Sequence, residues 1–362
     1  MSAAKPLSGA GVTRTVQATA VVAVAVVTAG LPLVLSTSDL LVYTQLLLAA
    51  VVTTGVSLLM GYAGQVSLGQ AAFYAVGAYT AALMSLHGVP RLAGLACAPV
   101  VAGLLGVLVG VPLLRLRGHY LAFATLAFQL ILLSIIGQQD ALGGDIGLRN
   151  LPRLGVGSHE LTDFRGYAWV SWAALVLVMV VTRNVVHSRP GRGLRALATS
   201  ETAAASSGVP VGRYKLVVFS LSAAFAGLAG GIFAFFLTYI APGSFGVLLS
   251  FQFVVMAVVG GLGTLWGPLV GAAVITVLLQ WLNGLGTQPG MPAYAPQVFS
   301  YAAYAALLVL VMLFLPRGLV AAVTDLYRLA LRRLGRHSVA DAGQEDSDAE
   351  RAPDREPARP AR

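Results

Sequence analysis

Runs of about twenty apolar residues, uninterrupted by charge, recur along this 362-residue chain and leave it few ways to fold. The hydrocarbon core of a bilayer, about 30 Å thick, is crossed by about 20 helical residues rising 1.5 Å each. Ten runs of that kind stand near 16–35, 40–60, 70–86, 93–114, 120–138, 168–182, 216–237, 249–265, 268–286 and 297–315. Lipid offers no water to backbone N–H and C=O groups, so a spanning segment must be a helix or part of a closed barrel, and these runs are too long and too continuously apolar for barrel strands. The expectation is an all-α, polytopic integral membrane protein of about ten transmembrane helices. Composition agrees, with 57% of residues hydrophobic and 10% charged, against about 25% charged in a soluble domain. A soluble enzyme and a nucleic-acid-binding domain are excluded on this ground, and Cys97, the sole cysteine, can form no internal disulfide.

Orientation follows from the basic residues. With ten crossings and both termini cytoplasmic, 19 of the 23 Lys and Arg residues fall on the inner side, and only Arg91, Arg149, Arg153 and Arg165 face outward. The reading is a cytoplasmic segment 1–15, a membrane domain 16–323 with an inner loop at about 183–215, and a cytoplasmic tail 324–362. From about 340 the tail is rich in Asp, Glu, Arg, Pro and Ala and is expected to be disordered. The first run is read as a span and not a cleaved signal peptide, because its apolar stretch of about 20 residues exceeds the usual 7–15.

The carboxylates bear on the energy source. Before Asp341 they are Asp39, Asp140, Asp145, Glu160, Asp163, Glu201 and Asp325, all in loops or at span ends. Proton-coupled transporters need an ionisable group near the bilayer centre, and cation channels ring their pores with acids. Neither is available here. Coupling to sodium through backbone carbonyls stays open. A Walker A loop needs a lysine after its glycines, and the chain's two lysines, Lys5 and Lys215, lack that setting. The five histidines are scattered and form no metal or nucleophile constellation. Uphill transport by this chain would need energy from a partner.

Four segments carry further signal. In Gly61-Tyr-Ala-Gly-Gln-Val-Ser-Leu-Gly-Gln70, Gly61, Gly64 and Gly69 each weaken a helix by about 1 kcal/mol relative to alanine, while Gln65, Ser67 and Gln70 supply polar groups. This is either a close helix crossing or irregular backbone beside a solute path. The inner loop from Arg183 to Lys215 holds Arg192 and Arg195, and Thr199-Ser200-Glu201 reads as an N-cap before a short helix through Ala203 and Ala204 that Gly208 and Pro210 end. It is either a connector lying on lipid head groups or a docking surface for a soluble partner. Val259 to Gly271, with Pro268 and Trp266, predicts a tight turn near the inner face. The outer loop from Asp140 to Ala168 reads most simply as flexible.

Together these segments resemble the membrane permease subunits of branched-chain amino acid ABC importers, of the longer, LivM type. The matching pieces run in order through Met60–Phe73 with Gly77–Thr80, Leu114–Phe123, Gly143–Gly147, Ser188–Ala196, Arg213–Lys215 with Leu221–Gly227, and Val259–Pro268. The resemblance implies half of a translocation pathway for branched-chain amino acids in the bacterial inner membrane, working by alternating access. Related permeases for urea, short amides or another small polar solute share these motifs, and an ion-gradient-driven transporter is the reading from another class. The implied partners are two ABC ATPase subunits, which would use ATP and Mg, a second permease of LivH type, an extracytoplasmic binding protein and membrane lipid. No cofactor is expected on this chain, and no nucleic acid. By the same resemblance Glu201 to Gly208, with Arg192 and Arg195 nearby, is the ATPase-coupling loop. Because no charge stands mid-span, Gly61, Gly64, Gln65, Ser67, Gly69 and Gln70 are expected to border the translocation path, where a zwitterion is held by backbone dipoles and uncharged polar groups.

Overall fold

The computed structural model describes residues 28–116, 118–156, 159–161, 163–286, 298, 302, 305–306, 309 and 318–320. Ten helices are labelled in chain order: α1 Thr37–Ser57, α2 Gln70–Leu86, α3 Arg91–Leu113, α4 His119–Gln138, α5 Phe164–His187, α6 Arg189–Thr199, α7 Glu201–Ser206, α8 Val211–Leu237, α9 Val247–Gly260 and α10 Gly267–Gly286. A π-helical turn, Leu58–Tyr62, extends α1, and a 3-10 turn, Pro242–Phe245, precedes α9. Among the described residues the sheet content is one hairpin pairing Gly155–Val156 with His159–Glu160. Seven helical segments of the described residues are long and apolar enough to cross a bilayer, and α2, at 17 residues, adds an eighth apolar helix, largely buried among the others.

These eight coincide with eight of the ten runs read from the sequence. The run at 297–315 lies outside the described residues apart from a few positions, and that at 16–35 is described only from residue 28, with 28–34 helical. The expected disordered tail and the cytoplasmic segment 1–15 are likewise outside the described residues. Some boundaries move: α5 and α8 run further than 168–182 and 216–237, because flanking polar residues continue the helices beyond the apolar stretch. The run at 249–265 ends earlier, at Gly260, where Gly261 and Gly263 take positive φ.

The packing follows from side-chain size. Along α3, Gly94, Ala98, Ala102, Gly103, Gly106 and Gly110 share one buried face, while Val100, Leu104, Leu108 and Val111 point outward. In lipid no hydrophobic force separates core from surface, so small residues that let backbones approach decide which face meets protein. That face of α3 lies on α8, its most extensive partner. On its other side α8 meets α2, where Gly77 abuts Gly227 and Gly230 abuts the Tyr74 carbonyl so tightly that no side chain fits between. Helix α1 packs on α5, α8, α9 and α10.

The loops gather at two ends. At one end the outer loop, expected to be flexible, is instead tied down. Leu148 and Ile240 exchange backbone hydrogen bonds, the Leu151 N–H donates to the Thr238 carbonyl, and the Leu154 N–H donates to the Tyr167 hydroxyl. Leu151 and Leu154 are buried, and the Arg149 guanidinium stands 5.7 Å over the Tyr239 ring. Local glycines suggested freedom, but long-range pairing to 238–240 supplies the partners the loop lacks on its own. At the opposite end lie Gly61–Gly69, α6, α7 and the turn at 261–266.

Candidate functional site

The second end of the bundle is built on a helix break. After the π-turn, Ala63 is the last helical residue and Gly64 takes φ +64°, a left-handed value that any residue with a Cβ reaches only at a cost of ~1–2 kcal/mol. The Gln65 N–H turns back to the Leu59 carbonyl at 3.1 Å, and the chain stays non-helical until Gln70 opens α2. The backbone of this stretch is irregular, and its glycines make close crossings. Gly61 has the backbone of Leu262 and Gly263 against it, Gly64 faces Ala198 of α6, and Gly69 lies against the Thr125 carbonyl.

Three segments that stand apart in sequence thus converge here, namely 61–69, the inner loop through Ala198, and the turn at 261–266. That turn is tight, as expected: the Thr264 hydroxyl donates to the Gly261 carbonyl at 2.8 Å and accepts from the Gly267 N–H at 3.0 Å.

The start of α2 is held by a buried polar chain that sequence reasoning missed. The Leu68 N–H donates to Thr125 Oγ1 at 3.0 Å, and the Ala71 N–H donates to Ser250 Oγ at 2.9 Å. Ser250 in turn donates to Gln129 Oε1 at 2.7 Å, and Gln129 Nε2 donates to the Phe245 carbonyl at 3.1 Å. A helix leaves its first N–H groups without internal partners, and in lipid these need side-chain acceptors. Lone Gln129 and Ser250 amid apolar runs were the available signal.

Beside this network, Gln65 and Gln70 are 2% and 1% exposed, and both amide atoms of each side chain lack a hydrogen-bond partner among the described residues. A buried primary amide offers two donors and one carbonyl, so unmatched ones are costly unless something else meets them. Ser67 is buried and accepts weakly from the Gly69 N–H at 3.4 Å.

The inner loop folds as two short helices. Ser188 caps α6, whose Gly191, Leu194 and Leu197 face inward while Arg192 and Arg195 are exposed; Arg195 donates to the Val186 carbonyl at 3.1 Å. Ser200 Oγ accepts from the Ala203 N–H at 3.3 Å as the N-cap of α7, and Gly208 ends the turn at φ +79°. Only Ala204 of α7 points inward; Thr202, Ala203, Ala205 and Ser206 are exposed, and nothing lies near Gly208. The Glu201 carboxylate is paired with Lys215 of α8. Lys215, read from the sequence as one more inner-side charge, is 6% exposed. Helix α6, which carries Arg192 and Arg195, touches Gly64 through Ala198 and links the helix break to α7.

A family model described as "Branched-chain amino acid transport system / permease component" matches residues 36–315. The high-affinity branched-chain amino acid transport system permease protein LivM of Salmonella typhimurium is 28% identical over 322 residues, covering 82% of this chain and 73% of its own. LivM of Escherichia coli K12 is 28% identical over 323 residues with the same coverage. The probable permease protein LivH of Methanocaldococcus jannaschii is 28% identical over 217 residues, 58% of this chain and 68% of its own. No solved structure matches significantly.

Proposed function

Because the chain belongs to the branched-chain amino acid permease family, we propose that it forms half of the translocation pathway of an ATP-driven importer for branched-chain amino acids in the bacterial inner membrane. It has about ten spans with both termini cytoplasmic. A second permease of LivH type completes the pathway, two ATPase subunits that use ATP and Mg dock on the inner end, and an extracytoplasmic binding protein delivers solute to the other. The observation that carries this reading is α7, a capped six-residue helix whose Thr202, Ala203, Ala205 and Ser206 are left exposed at the end of the bundle that holds the helix break. Loop sequence that folds into a separate short helix with an exposed small-residue face suits insertion into a groove of a soluble partner.

The solute side of the reading rests on Gln65, Ser67 and Gln70 with Gly61, Gly64 and Gly69. Every Asp, Glu, Lys and Arg of the described spanning helices lies within about a turn and a half of a helix end. A zwitterion, which is neutral overall, can be met there by amide dipoles and irregular backbone without a counter-charge. ATP-driven closure of the ATPases moves α7, α6 passes the displacement to Gly64, and the break at 63–69 switches the side from which solute is reached.

The test is uptake of radiolabelled leucine by the assembled complex in liposomes. Ala203→Arg should lower ATP-driven uptake about tenfold, the equivalent of ~1.4 kcal/mol of lost docking. Unchanged uptake overturns the docking surface, and uptake that urea abolishes while excess valine does not overturns the substrate class.

A further inference from the structure

The pairing of Lys215 with Glu201 does more than neutralise a buried charge. Resting on the reading of α7 as the docking helix, we propose that Lys215 is a positioning residue for transport: its ammonium couples α7 to α8, so that displacement of α7 by the ATPase turns the helix on which α2 and α3 pack.

Three observations lead there. First, α7 has little hold of its own. Of its six residues only Ala204 is buried, so the Glu201 carboxylate is its polar attachment to the bundle. Second, the lysine is turned inward. A lysine near the end of a spanning helix ordinarily extends to the head groups, as the exposed Arg213 two residues earlier is free to do, yet Lys215 is buried against α7. Exposed ion pairs contribute little; here the Glu201 side chain is 37% exposed but that of Lys215 only 7%, so separation would leave the ammonium without solvent or counter-charge, which resists it. Third, α8 is the helix through which movement spreads. Its Gly227 and Gly230 lie against the backbone of α3 and α2, and Ala223 and Gly231 add close contacts to Gly106, Ala98 and Ala81, contacts that do not slide without collision. Movement of its first turns is therefore movement of three helices.

The experiment measures leucine transported per ATP hydrolysed by the assembled complex in liposomes, with complex yield and ATPase rate recorded separately. Lys215→Met and Glu201→Gln should each lower transport per ATP about tenfold while the complex still assembles and hydrolyses ATP. Lys215→Arg and the reciprocal pair Lys215→Glu with Glu201→Lys should return most of the coupling. A purely structural pair would lower yield, and uptake and hydrolysis together, leaving their ratio intact. That outcome overturns the proposal, as does an unchanged ratio in Lys215→Met. If Lys215→Met does not assemble, the reciprocal pair decides: an assembled but uncoupled swap, or a swap that also fails to assemble, counts against it. Ala203→Arg leaves the ion pair in place, so its failure to affect uptake removes the docking reading, whereas a normal ratio in Lys215→Met beside a defective Ala203→Arg removes only the role of Lys215.

Discussion

Gly230 and Gly212 lie on the same helix and differ in what surrounds them. A Cβ on Gly230 would run into the Tyr74 carbonyl oxygen and lie 3.0 Å from the Ala78 N, whereas one on Gly212 meets nothing within 4 Å. Backbone cannot step aside as a side-chain tip can, so α2 and α8 would have to separate, undoing the contacts of Tyr74 with Phe233, Phe245 and Phe253. Gly230→Val should therefore cost about 3 kcal/mol or more, read as a lowered unfolding midpoint in detergent. Gly212→Val should stay within about 0.5 kcal/mol of the parent. Equal effects would show that proximity of the two backbones is not what holds this pair of helices.

At the scale of elements, what the sequence made legible was what lipid alone dictates. A chain stretch with no water around it must close its own hydrogen bonds, so each long uncharged run in the described residues is a helix. The cap of α7 was legible too, because Ser200 and Gly208 act within a few residues of themselves. Partnership between elements was not. Nothing local says that Gly77 meets Gly227, that Ala198 meets Gly64, or that the 140–156 loop pairs with 238–240. Burial of Lys215 was equally out of reach, because a lysine four residues into a helix has the same sequence whether it faces lipid heads or a carboxylate. Of the candidate site, the break at 61–70 was visible from its glycines, but its clamp of Thr125, Gln129 and Ser250 exists only once α4 and α9 are brought beside it.

For the whole molecule, the described loops separate into two groups, as alternate crossings by the eight described apolar helices require. Residues 61–69, 183–215 and 261–266 meet at one end, and 139–156 meets 238–246 at the other. Which end faces the cytoplasm rests on the count of arginines and is open to direct test. Cys97 is the only cysteine, so a Cys97→Ser background carrying Gln139→Cys or Thr202→Cys reports each end separately. A membrane-impermeant maleimide added to intact cells should label Gln139→Cys and reach Thr202→Cys only after permeabilisation. The reverse pattern would invert the protein and place α7 where no ATPase can reach it.

The confinement of charge to helix ends also bears on how this molecule responds to membrane voltage. An elementary charge carried across the full field gains or loses ~2.3 kcal/mol per 100 mV. The described helices, whose interiors hold no ionised side chain beyond about a turn and a half of their ends, carry almost nothing through that field when they rearrange around a solute of zero net charge. A cell whose membrane potential has collapsed would therefore go on importing at the same rate for as long as its nucleotide supply lasted.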